Sequence, residues 1–186
     1  THFIDEDHKT EHVIPYSGLL AKSLWGFEAQ LGGELWFSSV GRTEWGSTPP
    51  GIFHFTGQTW SHLLLPATIP DNWIKDCATT DDGRIWFSMG GDKLVYFDDT
   101  SFIEVTTQLE DGISYLTAGQ ENQLWIANAN ELASLNQQAI SYAPSFLSDP
   151  SIAVLAKETS YGIWIGGLVD DSIWHFDGSD FQNYPV

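Results

Sequence analysis

Apolar positions recur along this chain with a period of about 40 residues. Each repeat contains a short apolar segment with a tryptophan near its start, in LWFSS, IWFSM, LWIAN and IWIGG. The four tryptophans are Trp36, Trp86, Trp125 and Trp164, and the last three are evenly spaced. A second apolar anchor follows each of them: Phe55, Phe97, Leu135 and Phe176. Two recurring anchors indicate tandem copies of one structural unit, and the anchors themselves are predicted core residues.

Two further apolar positions precede each tryptophan, by twelve and by nine residues. Ile74 and Cys77, for example, precede Trp86 at these distances. In a regular strand, residues that are an odd number of positions apart point to opposite faces. The two offsets therefore predict a first strand that is buried on both faces.

Within each repeat the pattern predicts four short strands joined by tight turns. An apolar strand such as IKDCATT leads into a tight turn. Asp82-Gly83 and Glu121-Asn122 are such turns, and their residues accept the positive φ of a two-residue hairpin. The tryptophan strand, a strand ending in an FDG-like motif and a closing strand follow. Helical periodicity is nowhere sustained. Four strands in a repeat of this length are typical of a propeller blade, so we predict an all-β fold, a β-propeller of four-stranded antiparallel blades.

The repeat boundaries predict about four and a half blades in a single β-propeller domain spanning 1–186. Residues 1–16 form a partial blade, because HFIDEDHKTEHVIP parallels WHFDGSDFQNYPV, the end of the last repeat. The full blades are predicted at 19–65, 69–108, 112–145 and 150–186. A longer chain, a second chain or four blades alone could close the ring. Since an open arc exposes apolar faces, we expect self-association or a missing remainder of the ring.

The charge balance limits the classes of partner. The chain has 25 Asp and Glu residues against 7 Lys and Arg, a formal charge of −18. A surface this acidic repels phosphate backbones and anionic lipid, and no apolar run is long enough to span a bilayer. Nucleic acid and membrane insertion are therefore not expected, whereas a small polar ligand or a protein partner is. Cys77 is the only cysteine, so no intrachain disulfide or four-thiolate zinc site is predicted.

The loops between units, and between the second and third strands, usually form the ligand-binding face of a propeller. The first inner loop is the longest, because Trp36 and Phe55 are further apart in the chain than the matching anchors of the other repeats. It carries Arg42, Glu44 and Trp45, a combination that suits a sugar or small polar ligand, although an inert surface insertion explains it as well. Further ligand-binding candidates stand on the same predicted face: Tyr16, Trp25, Trp73, Asp92, Asp111 and Asp170.

Catalytic and metal-binding motifs are missing from the sequence. Aspartates cluster at outer turns, as in Asp98-Asp99, but none has the Asp-x-Asp-x-Asp-Gly spacing of a calcium loop, and turn geometry explains them. His-x-His, His-Glu-x-x-His and Gly-x-Ser-x-Gly do not occur either. We therefore predict no cofactor and no catalytic residue, with calcium or magnesium as the alternative.

The repeat resembles a known family at its motif residues. The pattern G-x-[IL]-W-[IF], followed by [LI]-x-x-[FY]-[DN]-G and a closing aromatic, is similar to the two-component regulator propeller repeat. That repeat occurs in extracytoplasmic sensor regions of bacterial hybrid kinases. The pattern is also similar to the repeats of streptogramin lyase, a seven-bladed propeller enzyme. The resemblance covers nearly the whole chain and implies a propeller in a periplasmic or extracellular location.

The resemblance to the lyases breaks down at the residues that serve catalysis. In streptogramin lyases the tryptophan motif typically continues to a Glu, and a His follows Pro in a loop between units. Here the slots after the tryptophan motifs hold other residues: Ser39, Met89, Asn128 and Gly167. We therefore predict a non-catalytic, sensor-like propeller that recognises a small polar or carbohydrate ligand on its loop face. The alternatives are a propeller lyase or hydrolase of the streptogramin-lyase type and a protein-interaction scaffold.

Overall fold

A computed structural model shows the chain as two compact units, Thr1–Asp71 and Asn72–Val186. The structure describes residues 2–4, 11–13, 24–29, 33–39, 51–66, 69, 74–89, 91–98, 100–109, 111–136, 139–142, 152–157, 162–167 and 172–185. Every regular element in these stretches is a β-strand. None of the described stretches contains a helix long and apolar enough to cross a membrane.

The first unit contains a two-stranded hairpin and one four-stranded antiparallel sheet. The hairpin pairs β1 (His2–Ile4) with β2 (Glu11–Val13). The first sheet follows the chain in order: β3 (Leu24–Ala29), β4 (Leu35–Ser39), β5 (Gly51–Phe55) and β6 (Trp60–Leu64). Phe37 and Phe53 face each other across β4 and β5, stacked with ring centroids 5.3 Å apart, and both are buried. They form the core of this sheet together with Trp60.

The second unit contains three more four-stranded antiparallel sheets, each a meander in chain order. The second sheet comprises β7 (Cys77–Thr79), β8 (Ile85–Ser88), β9 (Lys93–Phe97) and β10 (Phe102–Thr106). The third comprises β11 (Tyr115–Ala118), β12 (Gln123–Ala127), β13 (Leu132–Asn136) and β14 (Ala139–Tyr142). The fourth comprises β15 (Ile152–Lys157), β16 (Ile163–Gly167), β17 (Ser172–Phe176) and β18 (Phe181–Pro185). In the described stretches, four such sheets and one hairpin match the predicted four and a half repeats.

The sheets of the second unit pack face to face through the recurring anchors. Trp86 of the second sheet shares one buried cluster with Leu124 and Leu135 of the third. Trp125 of the third sheet meets Phe176 of the fourth edge to face, with ring centroids 5.7 Å apart. Each of these two tryptophans is therefore covered by the sheet that follows it. The prediction that the anchors are core residues is confirmed for these two indoles, which are only 3% exposed, whereas the anchors Phe97 and Trp164 are half-buried.

The first strands of the repeats accommodate the two apolar positions, which are an odd number of residues apart, in two ways. In β7, the adjacent residues Cys77 and Ala78 are both 3% exposed, so this strand is buried on both faces as predicted. In β15 the register shifts between Ile152 and Val154, which adds one residue to the strand. Because of this bulge, Ile152 and Leu155 join the same buried cluster. Spacing alone does not distinguish a bulge from burial on both faces.

Candidate functional site

Most of the residues predicted to bind ligand lie outside the described part of the chain: Tyr16, Arg42, Glu44, Trp45, Trp73 and Asp170. Trp25 lies on β3, where its backbone pairs with Ser38 of β4. Asp92 and Asp111 are described, and both lie at the loop edge of the second unit. The predicted ligand-binding role of all nine residues stays a prediction.

Hydrogen bonds bring the loops that carry Asp92 and Asp111 together. The Ile113 N–H, two residues after Asp111, donates to the carbonyl of Gly91 at 3.0 Å. The side-chain amide of Asn130 donates to Asp111 Oδ2 at 2.7 Å, which joins the loop before the third sheet to a turn within it. The Asp92 carbonyl accepts both the N–H and the hydroxyl of Thr107 at 2.8 Å. This loop edge is therefore fixed by its own hydrogen bonds.

A groove lies at the opposite edge, between the second and third sheets. Its volume is about 840 Å³. Two hairpin turns border it, the turn after β7 and the turn after β11, where Asn122 takes the left-handed conformation with φ of 64°. We call it the inter-sheet groove, and its walls comprise Asp82, Arg84, Trp86, Tyr96, Ile103, Val105, Asn122, Leu135, Asn136 and Ala139.

A chain of hydrogen bonds fixes the polar end of the inter-sheet groove. The Trp86 indole N–H donates to the Thr80 hydroxyl at 3.1 Å, and that hydroxyl donates to Asp82 Oδ1 at 2.6 Å. The other carboxylate oxygen of Asp82 pairs with the Arg84 guanidinium at 3.0 Å. The same guanidinium carbon lies 5.0 Å from the centre of the Tyr96 ring, a cation–π contact. The charges of Asp82 and Arg84 cancel, so this end of the groove is polar but neutral.

Asn122 supplies the most informative polar atom of the groove. Its side-chain oxygen is buried and has no hydrogen-bond partner in the part of the chain that the structure describes. Leaving such an acceptor unpaired costs about 1–3 kcal/mol. The residue lines the inter-sheet groove, so its side-chain amide is the candidate polar contact for a ligand hydroxyl or N–H there. The sequence alone indicated only a turn at the Glu121-Asn122 pair.

Two partly buried titratable groups lie away from the groove. Burial raises the pKa of the Asp76 carboxyl, and hydrogen bonds from the Leu116 and Cys77 N–H groups lower it in part. Burial lowers the pKa of His62, whose ring stacks on Phe53 with centroids 4.4 Å apart. Asp76 joins the second and third sheets, and His62 packs within the first sheet; neither lines the inter-sheet groove. Nowhere in the described stretches do three His, Cys, Asp or Glu side chains converge in a way that could hold a metal ion.

No protein-family model and no curated protein matches the chain. Solved structures do match it. A streptogramin B lyase structure is 16% identical, with a TM-score of 0.75 over 95% of this chain and 58% of the lyase. YCF48 bound to D1 peptide is 14% identical, with a TM-score of 0.68 over 94% and 58% of the two chains. The extracellular domain of the one-component system BT4673 from B. thetaiotaomicron is 13% identical, with a TM-score of 0.65 over 91% and 22%.

These likenesses establish the class of protein. The matched structures are of propeller type, and the chain carries the four-stranded antiparallel sheets of that fold, so it is a β-propeller protein, as predicted. At such low identity the likeness shows the fold alone. The chain spans 58% of the length of the lyase and of YCF48. A lyase, a peptide-bound protein and a sensor's extracellular domain share this fold, so the fold by itself does not select a function.

Proposed function

We propose that this chain is a non-catalytic, ligand-binding propeller of the sensor type, which acts outside the cytoplasm and holds its ligand in the inter-sheet groove. The observation that carries the proposal is the buried, unpartnered amide oxygen of Asn122 in the groove wall. The similarity to the two-component regulator propeller repeat and the fold likeness to the extracellular domain of BT4673 support the sensor class and the location.

The chemistry of the groove favours a small, neutral, polar ligand such as a sugar. The chain's charge of −18 opposes anions, and the Arg84 charge is already balanced by Asp82. Tyr96, which is half-buried, offers ring surface against which the apolar face of a sugar can pack. Asn122 and Asn136 can accept and donate hydrogen bonds to hydroxyl groups. No cofactor takes part in this proposal.

The proposal is tested by titrating the chain calorimetrically with a panel of neutral mono- and disaccharides. The Asn122→Gly variant removes the orphan acceptor and tolerates the positive φ, so the fold is retained. We expect it to weaken binding of the sugar that the parent chain takes by about 5- to 100-fold, the equivalent of one lost buried hydrogen bond.

The control for this titration is Glu121→Gly, at the neighbouring turn position, which has φ of 52° and an exposed side chain. Its affinity for the sugar should equal that of the parent chain. If the parent chain and Asn122→Gly bound the sugar with equal affinity, the inter-sheet groove would not be the binding site. If no sugar in the panel bound the chain, the proposal of a neutral sugar ligand would be wrong.

The loop platform predicted from the sequence gives the same function a second location. Its predicted residues on the long first inner loop are Arg42, Glu44 and Trp45. Trp45→Ala in the same titration separates the two locations. A loss of affinity in Trp45→Ala with no loss in Asn122→Gly would move the ligand to the loop face.

The lyase alternative is disfavoured by the slots that follow the tryptophan motifs. Met89 is fully buried and Asn128 is 1% exposed, so neither can reach a substrate on the loop face. Magnesium-dependent turnover that a chelator abolishes would instead support the lyase alternative. The scaffold alternative has support from the likeness to YCF48 bound to D1 peptide. Binding of peptides, but of no sugar, to the chain would support the scaffold alternative.

A further inference from the structure

One row of side chains in the wall of the inter-sheet groove differs from the matching row in the other repeats. Directly opposite residues of neighbouring antiparallel strands share a face of the sheet. Trp86 lies opposite Tyr96, and Tyr96 lies opposite Ile103, so the three side chains form a row that runs from β8 to the edge strand β10. All three line the groove.

The matching row ends on a polar side chain in the other three sheets. Ile103 stands six residues after the second anchor of its repeat. At the same position the other sheets carry exposed polar residues: Ser61, Ser141 and Gln182. Ile103 is also exposed, to 36%, although burial of an isoleucine side chain is favourable. The blade fold therefore does not require an apolar residue here, and the second sheet has one only where it lines the groove.

The apolar wall continues along β10. Val105 lies two residues after Ile103, on the same face of the strand, and is half-buried in the groove wall. Glu104 lies between them and points to the opposite face, where its carboxylate accepts a hydrogen bond from Lys93 Nζ at 2.6 Å. On the third sheet, Ala139 is exposed in the groove wall. The part of the groove along β10 is therefore apolar, whereas its charged pair stands at the turn after β7.

The two parts of the groove suit two parts of one ligand. At the polar end Asp82 and Arg84 neutralise each other, and Asn122 contributes its amide. Neighbouring strands lie about 4.8 Å apart, so a sugar ring packed on Tyr96 brings its substituent against Ile103. The groove volume of about 840 Å³ is near the upper end of the range for pockets that take drug-sized ligands, about 300–1,000 Å³, which leaves room for a substituent.

We infer that the ligand of the inter-sheet groove is a neutral sugar with an apolar substituent, an alkyl or aryl glycoside, and that Ile103 binds this substituent. The inference rests on the proposed function, because it places the sugar itself beside Tyr96 and Asn122. Each CH₂ group buried against the apolar wall should tighten binding about fourfold. Two buried CH₂ groups therefore give an affinity about 15-fold above that of the same sugar without the alkyl chain.

The test compares methyl and hexyl glycosides of glucose, galactose and mannose by calorimetric titration. For the sugar that binds, the hexyl glycoside should bind the parent chain at least about tenfold more tightly than the methyl glycoside. Ile103→Ser gives the second sheet the residue that the first and third sheets carry at this position, so the fold is retained. Its preference for the hexyl glycoside should fall below about threefold, with unchanged affinity for the methyl glycoside. Ile103→Leu, which keeps an apolar side chain, should keep the preference.

Two further variants serve as controls. Leu64→Ser changes an exposed aliphatic residue of β6 (58% exposed) that is not among the residues lining the groove, and should keep the hexyl preference. Asn122→Gly alters only the polar contact, so it should weaken the binding of both glycosides by the same factor.

The outcomes separate this inference from the proposed function. Equal affinity of the parent chain for methyl and hexyl glycosides, or an undiminished hexyl preference in Ile103→Ser, would overturn the inference and leave the proposed function intact. Failure of every glycoside to bind the parent chain would overturn both.

Discussion

The tryptophans of the repeat show how one residue slot acquires different environments. The Trp86 indole N–H has the Thr80 hydroxyl as its acceptor, six residues earlier in the chain. The corresponding position before Trp125 is Gly119, and the buried Trp125 indole N–H finds no acceptor among the described residues. The repeat therefore retains the buried apolar ring of the tryptophan, whereas the hydrogen-bond acceptor of its indole N–H depends on one neighbouring residue.

The Thr80 contact gives a prediction for stability. Thr80→Val keeps the volume of the side chain but removes the acceptor for the buried Trp86 N–H, and should lower the free energy of unfolding by about 1–3 kcal/mol. Urea denaturation followed by fluorescence measures it. Thr56→Val, which loses an exposed hydroxyl that bonds to Thr59, is the control and should change stability by less than about 0.5 kcal/mol. Equal effects would contradict this role for Thr80.

His62 gives a prediction for pH dependence. Burial lowers its pKa, so the unfolded chain takes up a proton more readily than the folded chain. The stability that the neutral ring contributes is therefore full above its ordinary value of 6.5 and is lost as pH falls through that value toward the lowered pKa. Between about pH 7 and pH 5, His62→Leu should lose less stability than the parent chain in urea titrations. Parallel pH curves for the two proteins would contradict it.

At the scale of the elements, the strands and turns could be predicted, but the groove between two sheets could not. The Asp82-Gly83 and Glu121-Asn122 turns are visible in the sequence because their residues accept positive φ, and the structure has them with φ of 83° at Gly83 and 64° at Asn122. The groove arises because two such turns, one repeat apart in the chain, border neighbouring sheets. The repeat period identifies which turns are equivalent in the sequence, but it does not predict how far apart they lie in space.

At the scale of the elements we make a stability prediction for Asp76, because this residue joins two sheets. Its carboxylate accepts the Cys77 N–H of its own sheet at 2.9 Å and the Leu116 N–H of the third sheet at 2.8 Å. Asp76→Ala leaves both N–H groups without this acceptor and should destabilise the chain by about 1–3 kcal/mol at neutral pH.

The matched control for Asp76 is Asp177→Ala. The Asp177 carboxylate also accepts two backbone N–H groups, at 2.8 and 2.9 Å, but it is exposed, so water can replace it and the loss should be smaller. Because burial raises the pKa of Asp76, its ionisation opposes folding: the stability of the protonated form is full below 3.8 and is lost as pH rises through the raised pKa. Asp76→Ala should flatten this part of the pH curve. A larger loss for Asp177→Ala would refute the bridging role.

At the scale of the whole molecule, the propeller fold follows from the sequence because a short structural unit recurs with the same anchors. Trp36, Trp86 and Trp125 were predicted to be core residues, and all three are 3% exposed. The ligand site does not follow in the same way, since propellers share a scaffold and differ in the few side chains that line their cavities. Asn122 stands out only once its burial and its missing partner are known.

The inter-sheet groove is tested most directly by a crystal structure of the chain with a neutral sugar that binds in the titration. We predict a sugar hydroxyl within about 3 Å of the Asn122 side-chain oxygen, beside Tyr96 and between two four-stranded sheets. A sugar bound elsewhere with the Asn122 oxygen still unpaired, or sheets arranged as a two-layer sandwich, would contradict it.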